Sequence, residues 1–339
     1  MRFELIDSEA SFDDLSEEWN ALLACSASHV PFLRHEYLRA WWRTLGGGEW
    51  SAGELRVITA RQEDGKLVGA APLFLTEGRD GKATLMLLGS YEISDYLDVL
   101  ACPQHLPDFV EGLLTLLETL PDWRTLDLYN LLETSPTLPQ LERVAEQRGW
   151  RVFRQGLQHC PYIPLPGDWE RYLAEQVDKK QRHEIRRKVR RLEESGLSVR
   201  WYIVTERQSL AGEIDAFLRL MAYDPEKARF LTEVMRLQMC SAVQAAFDAG
   251  WLQLAFLEIG GEKAAAYLNF DYDNTVWVYN SGLDFKFRDW SPGWVLLAYL
   301  LQWANAHKRA VFDFMRGDEA YKYRFGAVDR RVVRLTVER

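Results

Sequence analysis

Residues 252–272 read LQLAFLEIGGEKAAAYLNFDY. Two apolar runs flank the polar turn GGEK. Glycine adopts the positive φ that tight turns require, so the segment is a β-hairpin. The same design stands at residues 55–75, LRVITARQEDGKLVGAAPLFL, with EDGK as the turn. Each hairpin is followed by further strand pattern, then a helix, then a short strand: TLDLYNL at 125–131 in the first half and AVFDFMR at 310–316 in the second. Self-similarity at a spacing of roughly 165 residues indicates an internal duplication.

Working outward, the first half opens with amphipathic helical patterns near 12–24 and 35–45. After its hairpin come strand patterns at ATLMLLGS and YLDVL, a helix over 108–120, and a helix over 137–148. The second half carries a long helical region over 206–249, the strand VWVYNSGL, the helix PGWVLLAYLLQWANAH, a short helix in EAYKYRF and a last strand VVRLTVE. Prolines interrupt the pattern at 164 and 166. The expected domains are therefore 1–165 and 166–339, both of mixed α+β class.

The totals agree with two folded domains. The chain has 339 residues, 47% hydrophobic and 27% charged, and a formal net charge of −9. No window approaches the 18 apolar residues of a membrane span, and the N-terminus has no signal-peptide core, so a cytoplasmic protein is expected. Cys25, Cys102, Cys160 and Cys240 show no CxxC spacing and are expected as buried reduced thiols, without a disulfide framework. The six histidines are scattered, so no metal site is expected. GxSxG, Walker A and GxGxxG motifs are absent, and the run Gly46–Gly48 reads as a plain loop.

Four stretches in order resemble one family. PFLRHEYLRAWWRTLG, LLGSYEISDYLDVL, DKKQRHEIRRKVRRLEESG and FDFMRGDEAYKYRFGA look like the opening helix, the central SDYLD block, the basic helix and the closing motif of the CelD-like branch of the GNAT acyltransferases, which is related to the FemAB-like peptidyltransferases. The resemblance covers about residue 31 to the end. It implies tandem GNAT-like (acyl-CoA N-acyltransferase) domains, each a mostly antiparallel sheet splayed at a parallel junction. It further implies acyl transfer from acetyl-CoA or another acyl-CoA to an amine, hydroxyl or glycan acceptor in polysaccharide or cell-envelope biosynthesis. FemAB-like use of an aminoacyl-tRNA donor is the alternative, and a noncatalytic binding or scaffolding role a third.

Within FRDWSPGWVLL (287–297), Ser291 is an expected N-cap, Pro292 suits the first helical position, and Gly293 permits close approach to the backbone. The amides of Gly293, Trp294 and Val295 could then hold a phosphate at the positive end of the helix. The resemblance assigns this helix start to the pyrophosphate of CoA, although only Arg288 and Gly293 remain of the family's usual Gln/Arg-x-x-Gly-x-Gly/Ala loop. A capped helix without ligand is the competing reading.

Acyl transfer passes through an oxyanion and needs a hydrogen-bond donor at the carbonyl, a base for the attacking amine and an acid for the leaving group. Asn280 and Ser281, at the end of VWVYNSGL, lie where a splayed strand would present a free amide. In DFMRGDEAYKYRFG (313–326), Asp313 and Arg316 adjoin Tyr321, a candidate acid, and Lys322, a candidate for the oxyanion or a donor phosphate. An ion pair of Asp313 with Arg316 or Lys322 that merely fastens the last helix is the alternative. In the first half, Asp95, Tyr96 and Asp98 are candidate acceptor-binding residues, with Asp98 as a possible base, or else a turn and a half-buried strand. That half lacks a Gly-bearing helix start and is expected to be a degenerate copy without a donor site.

Residues 178–191, DKKQRHEIRRKVRR, hold eight Lys or Arg against two acidic residues. Ile185, Val189 and Leu192 mark one apolar stripe of a helix expected over 178–195. Its positive face suits an acidic surface of the protein itself, an anionic small ligand, or one docked tRNA; the acidic remainder of the chain argues against DNA.

Overall fold

The computed structural model describes residues 1–339, which divide into two compact units: 1–158 with 331–339, and 159–330. The linear boundary near residue 165 therefore lies a few residues late. Residues 331–339, read above as the end of the second domain, belong to the first. Strand pairing explains this, because Arg331–Glu338 runs antiparallel to Thr125–Leu132 and its register extends from Val332 opposite Leu132 to Glu338 opposite Thr125.

The first unit runs β1 (Arg2–Ile6), α1 (Glu9–Asp13), α2 (Ser16–Leu23), α3 (His35–Gly48), β2 (Glu54–Leu55), β3 (Val57–Arg61), β4 (Leu67–Ala71), β5 (Leu73–Glu77), β6 (Ala83–Leu87), β7 (Leu100–Ala101), α4 (Leu106–Thr119), β8 (Thr125–Leu132), α5 (Thr137–Gln147) and β9 (Arg151–His159). The 55–75 hairpin is confirmed in β3 and β4, where Ile58 faces Ala71. The glycine run is the end of α3, where Leu45, Gly46 and Gly47 leave helical dihedrals for positive φ.

The second unit comprises β10 (Tyr162–Pro164), α6 (Trp169–Glu175), α7 (Lys179–Glu193), β11 (Val199–Ile203), α8 (Arg207–Met221), α9 (Pro225–Phe230), α10 (Glu233–Asp248), β12 (Leu252–Ile259), β13 (Glu262–Tyr272), β14 (Thr275–Leu283), α11 (Pro292–Ala306), β15 (Val311–Asp313) and α12 (Ala320–Arg324); β16 (Arg331–Glu338) follows. The expected helical region over 206–249 consists of three helices. Asp224 caps α9 through the amides of Glu226 and Lys227, and Thr232 caps α10 through Met235, so the backbone is twice restarted.

The sheet order of the second unit is β10-β15-β14-β13-β12-β11. All its pairings are antiparallel except β14 with β15, which run parallel over Thr275–Trp277 against Val311–Asp313. Beyond Trp277 the two strands part, and β14 continues to Leu283 with only β13 beside it. A bulge accompanies the parting: Asn269 faces Val278 but Leu268 faces Asn280, which leaves Tyr279 as the extra residue. The apolar helix α11 lies against this sheet with Leu296, Leu300 and Leu301 fully buried, and α7 contributes Ile185 and Leu192 to the same core. The apolar stripe read from the sequence is thus the inner face of α7, and Val189 is partly buried beside it.

The first unit repeats the parallel junction in β6 and β8, Thr84–Met86 beside Thr125–Asp127. Here the strands are followed by a different filling. Asn130 donates from Nδ2 to the carbonyls of Tyr91 (2.7 Å) and Ser94 (2.9 Å), which ties the 91–94 segment to β8.

Candidate active site

Past the parallel pair of β14 and β15, the second unit encloses a cavity of about 380 Å³. Its floor comes from β13 and β14 through Tyr267, Ser281 and Leu283, and its wall from the start of α11 through Ser291, Gly293 and Trp294. Arg288, Lys188 and Tyr321 complete it from the preceding loop, from α7 and from α12. The lining is largely apolar with a few polar and cationic groups, the pattern of a small-molecule site. Five residues expected from the sequence, Ser281, Arg288, Ser291, Gly293 and Trp294, and the expected acid Tyr321, meet here.

The helix start differs in detail from expectation. Ser291 occupies the N-cap position in the left-handed region, φ 52°, and its side chain makes no capping bond. Val295 is not available to a ligand, because its N–H donates to Ser291 O (3.1 Å) and its side chain is fully buried. The amides without an intrahelical acceptor are those of Gly293 and Trp294. A Cβ at Gly293 would fall 2.7 Å from Leu283 Cδ2 on the wall of the cavity, so that side chain would have to move to admit it.

Lys188 was not singled out by its position in the sequence, since it is one of eight basic residues in its run. In the folded unit its ammonium lies 4.3 Å from the centroid of the Trp294 indole. Burial pulls the Lys188 pKa down, and Glu184, 3.8 Å away, acts against that shift. Arg191 similarly stands over Trp290 at 5.3 Å. The basic helix therefore brings one cation, Lys188, to the cavity. Burial also drives the phenols of Tyr321 and Tyr267 well above their ordinary range, so both remain protonated at neutral pH.

Other expected residues lie elsewhere. Lys322 is a structural residue: it is 3% exposed, and its Nζ donates to the carbonyls of Phe314 (3.3 Å), Arg316 (3.1 Å) and Gly317 (2.9 Å) while pairing with Glu319 (2.8 Å). A cation so occupied cannot serve an oxyanion. Asp313 is fully buried, pairs with Arg330, and accepts from the Met315 amide (2.7 Å). Arg316 lends its carbonyl to Lys322 and does not line the cavity. Asn280 also lies off the cavity lining, with Oδ1 accepting from Lys227 Nζ (2.9 Å) and from the Ser281 amide (2.8 Å).

In the first unit, Asp95, Tyr96 and Asp98 are 3%, 0% and 1% exposed, which removes them from contact with an acceptor. Asp98 is an internal anchor: it accepts from Ser28 Oγ and Ser135 Oγ, each at 2.6 Å, and burial raises its pKa. The cysteine expectation is also corrected in part, because Cys25 and Cys102 form a disulfide with Cα atoms 5.0 Å apart, while Cys160 and Cys240 are not disulfide-bonded. Sequence spacing could not show this pair, which is 77 residues apart. No group of three or more His, Cys, Asp or Glu side chains gathers as a metal site, and no helix is long and apolar enough to cross a membrane.

Residues 179–323 match the family model of an acetyltransferase (GNAT) domain. Among solved structures, that of FemX superposes with a TM-score of 0.67 at 12% identity, over 99% of this chain and 97% of the other. A conserved protein of unknown function from Bacteroides thetaiotaomicron gives 0.63 at 12% identity over the full length of both chains. L-PGS from Bacillus licheniformis gives 0.56 at 13%, over 94% and 90%. At these identities the likeness is one of fold. No curated protein sequence matches the chain.

Proposed function

Since the second unit belongs to the GNAT superfamily, within a chain whose whole fold is FemX-like, we propose that the protein is an acyltransferase that binds acyl-CoA, with acetyl-CoA as the simplest donor, in the cavity between β14 and α11. The observation that carries this reading is the convergence of Gly293 and Trp294 amides, Arg288 and Lys188 on one cavity beside the parted strands. Two helix-start amides and two cations suit the phosphates of the donor. The parted strands offer space for its thioester.

In the transfer, the acceptor's nitrogen or oxygen lone pair forms a bond to the thioester carbon as the carbonyl π pair moves onto oxygen. Return of that pair breaks the C–S bond. Tyr321, kept protonated by burial, donates a hydrogen bond to the departing thiolate, and the proton lost by the acceptor reaches the sulfur through solvent. No enzyme nucleophile is needed, because acceptor and thioester react directly. The CelD-like resemblance supports a glycan or other cell-envelope acceptor.

Acetyl-CoA and free CoA are expected to raise the melting temperature, by the equivalent of about 2.7 kcal/mol at a hundredfold excess over Kd. Gly293→Ala is expected to weaken both by about tenfold, since the new methyl group crowds Leu283 at the cavity wall. Absence of any shift with either ligand sinks the acyl-CoA reading. The exposed Lys179, Lys180, Arg190 and Arg191, on either side of Lys188 along α7, favour a second reading with an aminoacyl-tRNA donor. Binding of charged tRNA that falls steeply with salt would select it.

A further inference from the structure

A splayed β14 could turn the Ser281 amide toward an acyl carbonyl, but in this protein that amide donates to Asn280 Oδ1 (2.8 Å). The oxyanion of acyl transfer is left without that donor. Ser281 lies past Trp277, the last residue of β14 that β15 accompanies, and the residue opposite it across the ladder of β13 and β14 is Tyr267. Opposed residues of a ladder send their side chains to the same face of the sheet. Ser281 and Tyr267 both line the cavity.

Tyr267 is distinguished by what its hydroxyl lacks. The residue is 5% exposed and belongs to the core that α11 covers. The other buried tyrosines of this unit are satisfied: Tyr172 donates to Phe325 O (2.6 Å) and Tyr299 to Glu193 Oε1 (3.0 Å). The Tyr267 hydroxyl has no hydrogen-bond partner in the protein, although a buried phenol normally finds one. The space it borders is the cavity. Tyr321 lines the same cavity and is near enough that ionisation of one phenol opposes that of the other, so burial and Tyr321 together keep Tyr267 protonated. A neutral phenol in this place offers a donor and cannot act as a base.

We propose that Tyr267 is a catalytic residue whose hydroxyl donates a hydrogen bond to the acyl carbonyl oxygen, in place of the engaged Ser281 amide. This rests on the acyltransferase reading, with the donor's phosphates at the start of α11 and its thioester at the parted strands. As the bond from the acceptor to the thioester carbon forms, the carbonyl π pair moves onto the oxygen beside Tyr267. When the C–S bond breaks, the pair returns to the carbonyl and Tyr267 keeps its proton. Tyr321 serves the departing sulfur and Tyr267 the oxygen, so the two phenols divide the two atoms on which charge gathers. The bond from Tyr267 strengthens as that charge develops, so it affects turnover more than binding.

The test uses the full chain with acetyl-CoA isotope-labelled at its acetyl carbonyl, and with free CoA binding measured in parallel. Tyr267→Phe keeps the ring and removes a hydroxyl that nothing in the protein satisfies, so the melting temperature without ligand is expected to stay at or above that of wild type. Infrared difference spectra of bound acetyl-CoA are expected to place the carbonyl band at higher frequency in this variant than in wild type, because the hydrogen bond is gone. Transfer to hydroxylamine, followed by thiol release, is expected to fall about 100-fold in kcat, the typical loss of one oxyanion donor, with Kd for CoA within about twofold of wild type. Tyr321→Phe is expected to lower kcat and leave the band in place. A band that Tyr267→Phe does not move, or a kcat within about threefold of wild type, overturns the role of Tyr267 and leaves the donor site standing. Equal loss of CoA binding and turnover assigns Tyr267 a purely structural part and overturns the role as well. A wild-type protein that binds neither CoA nor acetyl-CoA overturns both proposals.

Discussion

Lys188, from the most basic helix of an acidic protein, rests its ammonium 4.3 Å from the ring centroid of Trp294, the second residue after the proline that opens α11. One contact joins the charged segment to the helix start that forms the cavity wall. The basic run is thus divided by the fold. Arg186 and Arg187 pair with Glu170 and Glu184 at the surface, while Lys188 turns inward.

Replacing Lys188 by alanine therefore separates binding from stability. Surface and half-buried cation–π contacts contribute roughly 0.5–1 kcal/mol, so the melting temperature should fall by only a few degrees. Affinity for CoA should fall about tenfold, as for loss of one charge-assisted contact to phosphate. Calorimetric titration of CoA into wild type and variant measures this. Unchanged affinity would remove Lys188 from the donor site.

Lys322→Met should act in the opposite way. It leaves the Phe314, Arg316 and Gly317 carbonyls without their shared donor, at a cost of about 3 kcal/mol. Thermal unfolding should show a large loss of stability. Any CoA binding that survives in the folded fraction should have wild-type affinity, because Lys322 does not line the cavity.

His35 predicts a pH dependence in the first unit. Its Nε2 donates to Phe12 O (2.8 Å) inside the Phe12, Trp19 and His35 cluster, and burial lowers its pKa below 6.5. The unfolded chain then binds more protons than the folded one between those values. The stabilising contribution is present above pH 6.5 and is lost as pH falls through that range toward the folded value. His35→Phe should be less stable at pH 7.5 through the lost hydrogen bond, with a flatter stability profile between pH 7 and 5. Denaturant midpoints across pH report both effects.

The Cys25–Cys102 disulfide closes a long loop in the first unit, and the Ser28–Asp98 hydrogen bond joins the same two segments three and four residues inward. Peptide mass mapping without reductant should recover the cross-linked pair. Dithiothreitol should then lower stability by about 2–4 kcal/mol, whereas a Cys25→Ser, Cys102→Ser double variant should be insensitive to it.

The duplication, the hairpins and the inner face of α7 were legible because they depend on local periodicity and turn chemistry, which neighbouring residues express together, whereas the parallel junctions followed only from the family resemblance. Six of the expected residues line one cavity, and their signals were local: a glycine after a proline at a helix start, and the tyrosine of α12. What chain order alone could not convey is which polar side chains are consumed by the interior. Lys322 and Lys188 are both lysines on short-range helical patterns, yet one is spent on three carbonyls and the other faces the cavity. Lys227 meets Ser281 across 54 residues, Cys25 meets Cys102 across 77, and β16 leaves its sequence neighbours for the first unit's sheet. Those outcomes belong to tertiary structure, because strand pairing and the demand of buried carbonyls for donors are satisfied by whatever group packing brings near, irrespective of its distance along the chain.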